Sequence, residues 1–229
     1  MTKGPDDRFA RRRVLRDSIG IGMATGTYGL SFGALSVLAG LDVWQTGVLS
    51  AVMFTGASQF AFVGVIAAGG SPVAAAASAV LLGTRNTLYG LHLSTIVTER
   101  GLRRAGAAHL VLDESAAMSL AAEPQGLGRL GFYATGWSVF FGWNLATLAG
   151  ALGAQALSDP GRYGLDAVAP AAFLALLAPR LRDRANRGPA LLAVLVCLLC
   201  APLVPAGTPV LLAALCVVVL VLARPGVRA

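Results

Sequence analysis

Long apolar stretches dominate this chain, and short polar stretches separate them. The apolar segments are Ser18–Ala39, Val43–Ala68, Pro72–Val97, Ala107–Ala122, Leu130–Leu157, Leu165–Ala178, Ala190–Val204 and Val210–Ala223. A bilayer core about 30 Å thick requires about 20 mostly apolar residues per crossing helix. The pattern therefore predicts an all-α, polytopic transmembrane helical bundle with six to eight membrane segments.

Composition supports the same fold class. Of the 229 residues, 56% are hydrophobic and only 13% are charged, whereas soluble domains carry about 25% charged residues. The chain has too little polar surface to cover a soluble globule. We expect a basic cytoplasmic N-terminal tail, residues 1–16, followed by a single transmembrane domain, residues 17–229.

The net charge of +7 raises the question of a nucleic-acid partner, but the positions of the charges argue against one. Most basic residues lie in four clusters that flank apolar segments: Lys3 to Arg16, Arg100 to Arg104, Arg180 to Arg187, and Arg224 to Arg228. Such clusters mark the cytoplasmic ends of membrane helices. This indicates a lipid bilayer as the environment, no nucleic acid, and both termini in the cytoplasm.

One basic cluster disagrees with a simple count of crossings. If all eight segments cross, the cluster Arg100 to Arg104 lies outside. The conflict disappears if one of the first three segments, together with Ala107–Ala122, enters the membrane without crossing it. Val43–Ala68 contains the polar interruption Thr55–Gln59, and Ala107–Ala122 contains Asp113 and Glu114. We expect an even number of crossings, with six and eight both open, and a broken or re-entrant helix near Gly56–Gln59.

Small residues four apart predict close helix packing. Gly22/Gly26 and Gly29/Gly33 lie in the first segment, and the fifth repeats Gly142, Ala146, Gly150 and Ala154. We favour packing within this chain over a subunit interface.

Ionisable residues at membrane depth are costly, so each is a functional candidate. Arg85 shares a helix face with Tyr89 and His92, and Asn86 beside it adds hydrogen-bonding capacity. Arg85 is a candidate for substrate binding, although a structural pairing with a neighbouring helix end is the alternative.

Acidic residues form a second set of candidates. Asp113 and Glu114 point to different sides of a helix, so one can pair with Arg85 while the other carries a proton or binds an ammonium group. A carboxyl group removed from water has a raised pKa, which suits reversible protonation. Solvated charges near the membrane surface are the alternative. Asp166 is a third candidate, with helix capping as its alternative.

The stretch Gly56, Ala57, Ser58 and Gln59 interrupts a segment that is otherwise long enough to cross the membrane. A helix that restarts there has free N–H groups and a positive dipole end, which together can hold a carboxylate. Aromatic side chains nearby in the sequence or on the fifth segment are candidates for an apolar pocket: Phe54, Phe60, Trp137 and Phe140.

Several short motifs resemble, in order, those of the AzlC family, the large permease subunit of bacterial branched-chain amino acid exporters. Phe54-Thr55-Gly56-Ala57-Ser58-Gln59-Phe60 resembles its GASQF signature, Arg85-Asn86-Thr87-Leu88-Tyr89-Gly90 its R-H-x-L-Y-G stretch, and Leu112-Asp113-Glu114-Ser115 its T-D-E segment. Further matches are Gly136-Trp137 through Trp143, Gly150, and Leu165 to Phe173. Asn86 and Leu112 depart from the family, which often has His and Thr there.

The resemblance implies a multi-pass permease of the bacterial cytoplasmic membrane that exports Leu, Ile, Val or Met with proton coupling. It also implies a small AzlD-type membrane subunit as partner. Neither the resemblance nor the residues imply a cofactor or a metal.

Other classes of function fit the sequence less well. An intramembrane enzyme would need a catalytic constellation, and neither G-x-S-x-G nor H-E-x-x-H occurs. A structural or assembly subunit would not need charges at membrane depth such as Arg85. A passive channel would show a ring of repeated polar residues.

Overall fold

The computed structural model describes residues 5–157, 171, 174, 177–205 and 207–222, and all regular structure among them is helical. By length and composition, one described helix, Asp7–Leu38, is long and apolar enough to cross a bilayer. Ala57–Ala67 and Thr208–Leu220 are shorter apolar helices. The segment predicted at Leu165–Ala178 lies outside the described residues, apart from residues 171, 174, 177 and 178.

Two long helices and several short ones make up the described chain. The helices are α1 Pro5–Leu38, α2 Val43–Val52, α3 Ala57–Ala67, α4 Pro72–Gly83, α5 Arg85–Leu93, α6 Leu102–His109, α7 Asp113–Ala122, α8 Gly128–Ala156, α9 Arg184–Cys200 and α10 Thr208–Leu222. The basic N-terminal stretch is the beginning of α1 and continues into its apolar part without a break.

Helices α1 and α8 form a parallel pair at the centre of the fold. The hydroxyls of Ser18, in the first half of α1, and Thr135, in the first half of α8, lie 2.8 Å apart. Gly33 faces Thr147 fifteen residues further along α1. A Cβ at Gly22 would lie 2.6 Å from Ser138 O, and one at Gly142 would lie 2.5 Å from Gly22 O. The two glycine rows pack against each other within this chain, as predicted.

Helices α6 and α7 form a hairpin that turns back on itself. Before α6, Glu99 accepts a hydrogen bond of 2.9 Å from Tyr133 Oη near the N-terminal end of α8. At the hairpin tip, Leu110 packs against Gly136, further along α8. The Ser119 hydroxyl in α7 then donates to Gly128 O at 3.0 Å, at the N-terminal end of α8. The predicted segment Ala107–Ala122 therefore contains a turn and does not run straight.

Helices α2 and α3 meet in a V that enters from the other end of the α1/α8 pair. Gly47 in α2 faces Leu148 near the C-terminal end of α8, and Phe54 lies 5.0 Å from Phe140 between ring centroids. Beyond the bend, the ring centroids of Phe60 and Trp143 lie 6.1 Å apart, so α3 runs back toward the C-terminal end of α8. Gln59 Nε2 spans the V and donates to Ser50 O at 2.9 Å. The helix is thus interrupted at residues 53–56, next to the predicted break near Gly56–Gln59, and Ala57, Ser58 and Gln59 already belong to α3.

Helices α4 and α5 return the chain to the N-terminal end of the pair. Helix α4 runs antiparallel to α3. The end of α4 lies beside the start of α3, because a Cβ at Gly83 would lie 3.5 Å from Ser58 Oγ. The start of α4 lies near the end of α3, because Ala74 and Val65 both lie next to Gly207. Thr84 separates α4 from α5 while keeping helical backbone angles, φ −57° and ψ −29°. Helices α9 and α10 pack on each other, and α10 also touches α4.

Candidate functional site

A cavity of about 520 Å³ lies where the helix interruptions meet, beside the middle of α1 and α8. Its walls come from α1, the V between α2 and α3, the junction of α4 and α5, the tip of the α6–α7 hairpin, α8, and the segment before α9. The lining residues are Thr25, Tyr28, Phe54, Thr55, Gly56, Ala57, Phe60, Leu82, Arg85, Leu112, Asp113, Glu114, Val139, Trp143, Pro179 and Arg180. We call it the central cavity.

Four charged side chains line one side of the central cavity. Arg85 Nη2 lies 3.0 Å from Asp113 Oδ1, and Arg180 Nη2 lies 3.9 Å from Asp113 Oδ2. Asp113 therefore lies between two guanidinium groups. Glu114 also lines the cavity, and it forms no ion pair with any residue in the part of the chain that the structure describes.

The interruption between α2 and α3 directs a helix N-terminus at the central cavity. Gly56 adopts φ +58° and ψ −94°, a conformation that side chains disfavour, and it ends the bend. Gly56 and Ala57 line the cavity, and α3 has no side-chain cap among the described residues. The first N–H groups of α3 and the positive end of its dipole can therefore hold an anionic group.

The tip of the α6–α7 hairpin is held by the Ser115 hydroxyl. Ser115 Oγ accepts from Leu112 N at 2.9 Å and donates to Leu110 O at 2.6 Å. These bonds close the turn and fix Asp113 and Glu114 at the first turn of α7, where a helix N-terminus stabilises carboxylates.

Apolar and aromatic side chains form another part of the cavity wall. Phe60 packs edge-on against Phe32 at 5.6 Å and against Trp143 at 6.1 Å, so its position is fixed by α1 and α8. Val139 and Trp143 line the cavity, whereas Trp137 and Phe140 do not. The expectation for those two was wrong, because Trp137 lies on an exposed face of α8 and Phe140 packs behind Phe54.

The remaining predicted site residues have different positions. Ser58 and Gln59 are buried behind the cavity wall, with 2% and 0% exposure. Asn86 does not line the cavity, and its Oδ1 is buried without a hydrogen-bond partner among the described residues. Tyr89 packs against the hydrophobic core, and Asp166 lies outside the described residues.

Three polar lining residues were not singled out from the sequence. Arg180 belongs to a basic cluster that was interpreted only as an orientation signal, and nothing in the sequence separates it from its neighbours. Thr25 and Tyr28 lie three residues apart in the mostly apolar second half of α1. That spacing places them on one helix face and is the signal that could have identified them.

No group of three or more His, Cys, Asp or Glu side chains suited to a metal ion occurs among the described residues. The central cavity has the chemistry of an amphipathic binding site. It combines a helix N-terminus, two guanidinium groups, two carboxylates and an aromatic wall.

Comparison with protein families gives one finding. The family model described as "AzlC protein" matches residues 20–157, more than half of the chain. The matched range runs from within α1 to the end of α8, and it includes every lining residue of the central cavity except Pro179 and Arg180. No curated protein matches the chain, and no solved structure does.

Proposed function

This chain belongs to the AzlC protein family, a family of membrane transport subunits, and we propose that it is a permease that exports branched-chain amino acids. It acts in the bacterial cytoplasmic membrane as a multi-pass protein. Export is secondary transport coupled to protons, and it takes place together with a small membrane subunit of the AzlD type.

The observation that carries this proposal is the chemistry of the central cavity. An aliphatic amino acid has a carboxylate, an ammonium group and an apolar side chain. The first turn of α3 and Arg85 suit the carboxylate, Asp113 or Glu114 suits the ammonium group, and Phe54, Phe60 and Trp143 suit the side chain. A cavity of about 520 Å³ lies within the range of 300–1,000 Å³ that is typical of small-molecule sites.

The arrangement of helices supports a transporter with access from two sides. We propose that α1, the pair α4–α5, and α8 cross the membrane, while α2–α3 and α6–α7 enter from opposite faces and turn back. Irregular backbone at membrane depth is tolerated where it lines a cavity, and both bends line this one. The Arg100 to Arg104 cluster then lies on the same side as the basic start of α1, the cytoplasm.

The two carboxylates have separate roles in this proposal. Asp113 is held between Arg85 and Arg180, so its charge is compensated within the protein. Glu114 has no such partner among the described residues and lines the cavity beside Asp113. We assign the proton relay to Glu114. Asp113 completes the site for the ammonium group once the substrate displaces Arg180 from it.

Efflux from cells tests the proposal. Loss of label is followed from cells loaded with radiolabelled leucine or methionine. The cells contain this chain, its small subunit, both proteins, or neither. Faster loss of label from cells that contain both subunits supports export. Loss at the rate of cells lacking both, when both proteins are present in the membrane, contradicts it.

A further inference from the structure

Two arginines share one carboxylate at the wall of the central cavity. Arg85 Nη2 lies 3.0 Å from Asp113 Oδ1, and Arg180 Nη2 lies 3.9 Å from Asp113 Oδ2. We call these three residues the charge triad. Two positive charges meet one negative charge in the triad, so one positive charge is in excess beside the cavity. A cleft with such an excess favours an anionic ligand.

The two arginines of the triad are held by different parts of the fold. Arg85 belongs to the first turn of α5, and its side chain is 31% exposed, compared with 65% for Arg180. Arg180 lies in a short turn whose carbonyl groups accept hydrogen bonds from side chains at the start of α9: Asn186 Nδ2 donates to Arg180 O, and Arg187 Nε donates to Leu181 O, both at 2.9 Å. No hydrogen bond among the described residues joins this turn to α1–α8. Arg180 is therefore the member of the triad that can move away from Asp113.

The position of Arg180 decides the charge that the triad presents to a ligand. When an ammonium group displaces Arg180, Arg85 and Asp113 remain as a neutral pair, which complements a zwitterion such as leucine. When Arg180 stays in place, the triad keeps its excess positive charge, which complements a ligand with a carboxylate and no ammonium group. Charges that are removed from water need such compensation. The same cavity thus has two electrostatically balanced binding modes.

The rest of the central cavity suits both kinds of ligand equally. A guanidinium group has five N–H donors, so Arg85 can bind a ligand carboxylate while it keeps its contact with Asp113. The aromatic wall contacts the aliphatic part of a ligand, which is the same in leucine and in its 2-oxo acid, 4-methyl-2-oxopentanoate. Glu114, the other charged lining residue, is present in both modes and adds the same charge to each. Only Arg180 distinguishes the two.

We propose that the central cavity binds branched-chain 2-oxo acids as a second class of ligand, with Arg180 occupying the place that the ammonium group of an amino acid takes. Arg180 is then the residue that determines specificity between the two classes. The amino-acid mode rests on the proposed function. The 2-oxo acid mode requires the same cavity but does not require that the chain bind or move an amino acid.

Binding to the purified chain with its small subunit tests this proposal without any transport. Isothermal titration in detergent is carried out with leucine and with 4-methyl-2-oxopentanoate at one pH. We expect both ligands to bind the wild type and to compete with each other. Arg180→Gln should strengthen leucine binding and weaken 2-oxo acid binding, each by about two- to fivefold, the effect of a partly exposed ion pair. A residue that only stabilises the fold would change both affinities in the same direction.

Two further variants make the result specific. Arg180→Lys keeps a cation beside Asp113 and should retain 2-oxo acid binding. Arg182→Gln changes an exposed arginine of the same turn that does not line the cavity, and it should leave both affinities unchanged.

The two proposals fail on different results. Leucine binding without 2-oxo acid binding in the wild type, or weaker binding of both ligands by Arg180→Gln, would overturn the second ligand class alone. Binding of the 2-oxo acid by a chain that does not bind leucine would leave that class standing while the amino acid exporter proposal fails. A wild type that binds neither ligand would contradict both.

Discussion

Arg85 Nη2 lies 3.0 Å from Asp113 Oδ1, and this contact joins the start of α5 to the start of α7. Arg85 follows the junction in the α4–α5 pair, and Asp113 follows the tip of the α6–α7 hairpin. An unpaired charge at membrane depth costs at least about 2.5 kcal/mol on insertion scales. The ion pair therefore stabilises two interrupted elements together and places both charges beside one cavity.

This contact predicts that Arg85 and Asp113 act as a unit in substrate binding. Arg85→Gln and Asp113→Asn should each weaken leucine binding, because each leaves the other charge without its nearest partner. The double variant should lose less than the sum of the two, by about 0.5–3 kcal/mol. Isothermal titration with leucine measures this, and strictly additive losses would show that the pair is not a unit.

Glu114 is predicted to carry the transported proton. Glu114→Gln cannot release a proton, so efflux driven by a pH gradient should stop, while exchange of labelled for unlabelled leucine at equal pH continues. Glu123→Gln changes an exposed carboxylate outside the central cavity and should behave as wild type. Normal gradient-driven efflux in Glu114→Gln would remove this residue from the proton relay.

The glycine rows of α1 and α8 predict a sharp difference between two similar substitutions. A Cβ at Gly29 would lie 2.7 Å from Trp143 O, whereas a Cβ at Gly20 would meet nothing within 4 Å. Gly29→Ala should lower the free energy of unfolding by about 1–3 kcal/mol through overpacking. Gly20→Ala should be neutral or slightly stabilising. Unfolding temperatures in detergent check both, and equal temperatures would contradict the close packing.

Membrane sidedness is the fourth prediction. In a variant whose Cys197, Cys200 and Cys216 are replaced by Ser, single cysteines are introduced at Arg11, Gly70 or Arg103 and treated with an impermeant maleimide. Arg103→Cys should react from the same side as Arg11→Cys, and Gly70→Cys from the opposite side. Reaction of Arg103→Cys together with Gly70→Cys would mean that the α4–α5 pair does not cross the membrane, which contradicts the proposed topology.

Much of the local structure could be predicted from the sequence because its signals are local. Glycines four apart indicated the α1 and α8 contact surfaces, and Gly56 in a polar stretch indicated an interruption. The pairing of Arg85 with one of two adjacent carboxylates followed from the cost of isolated charges. The matching motifs identified the family that the comparison then showed.

What could not be predicted depends on distances across the chain. Arg180 reaches Asp113 over 67 positions of sequence, and no local pattern distinguishes it from the other arginines of its cluster. Val139 and Trp143, rather than Trp137 and Phe140, line the cavity because the rotation of α8 is fixed by its packing on α1. Sequence spacing gives the faces of a helix but does not say which face a cavity adjoins.

Substrate counterflow tests the central claim most directly, namely that the central cavity binds a zwitterionic aliphatic amino acid. The purified chain and its small subunit are placed in liposomes loaded with unlabelled leucine, and uptake of external labelled leucine is followed. We predict accumulation that unlabelled isoleucine and valine inhibit and lysine does not, and that Arg85→Gln reduces. No accumulation above that of empty liposomes, or equal inhibition by lysine, would contradict the account.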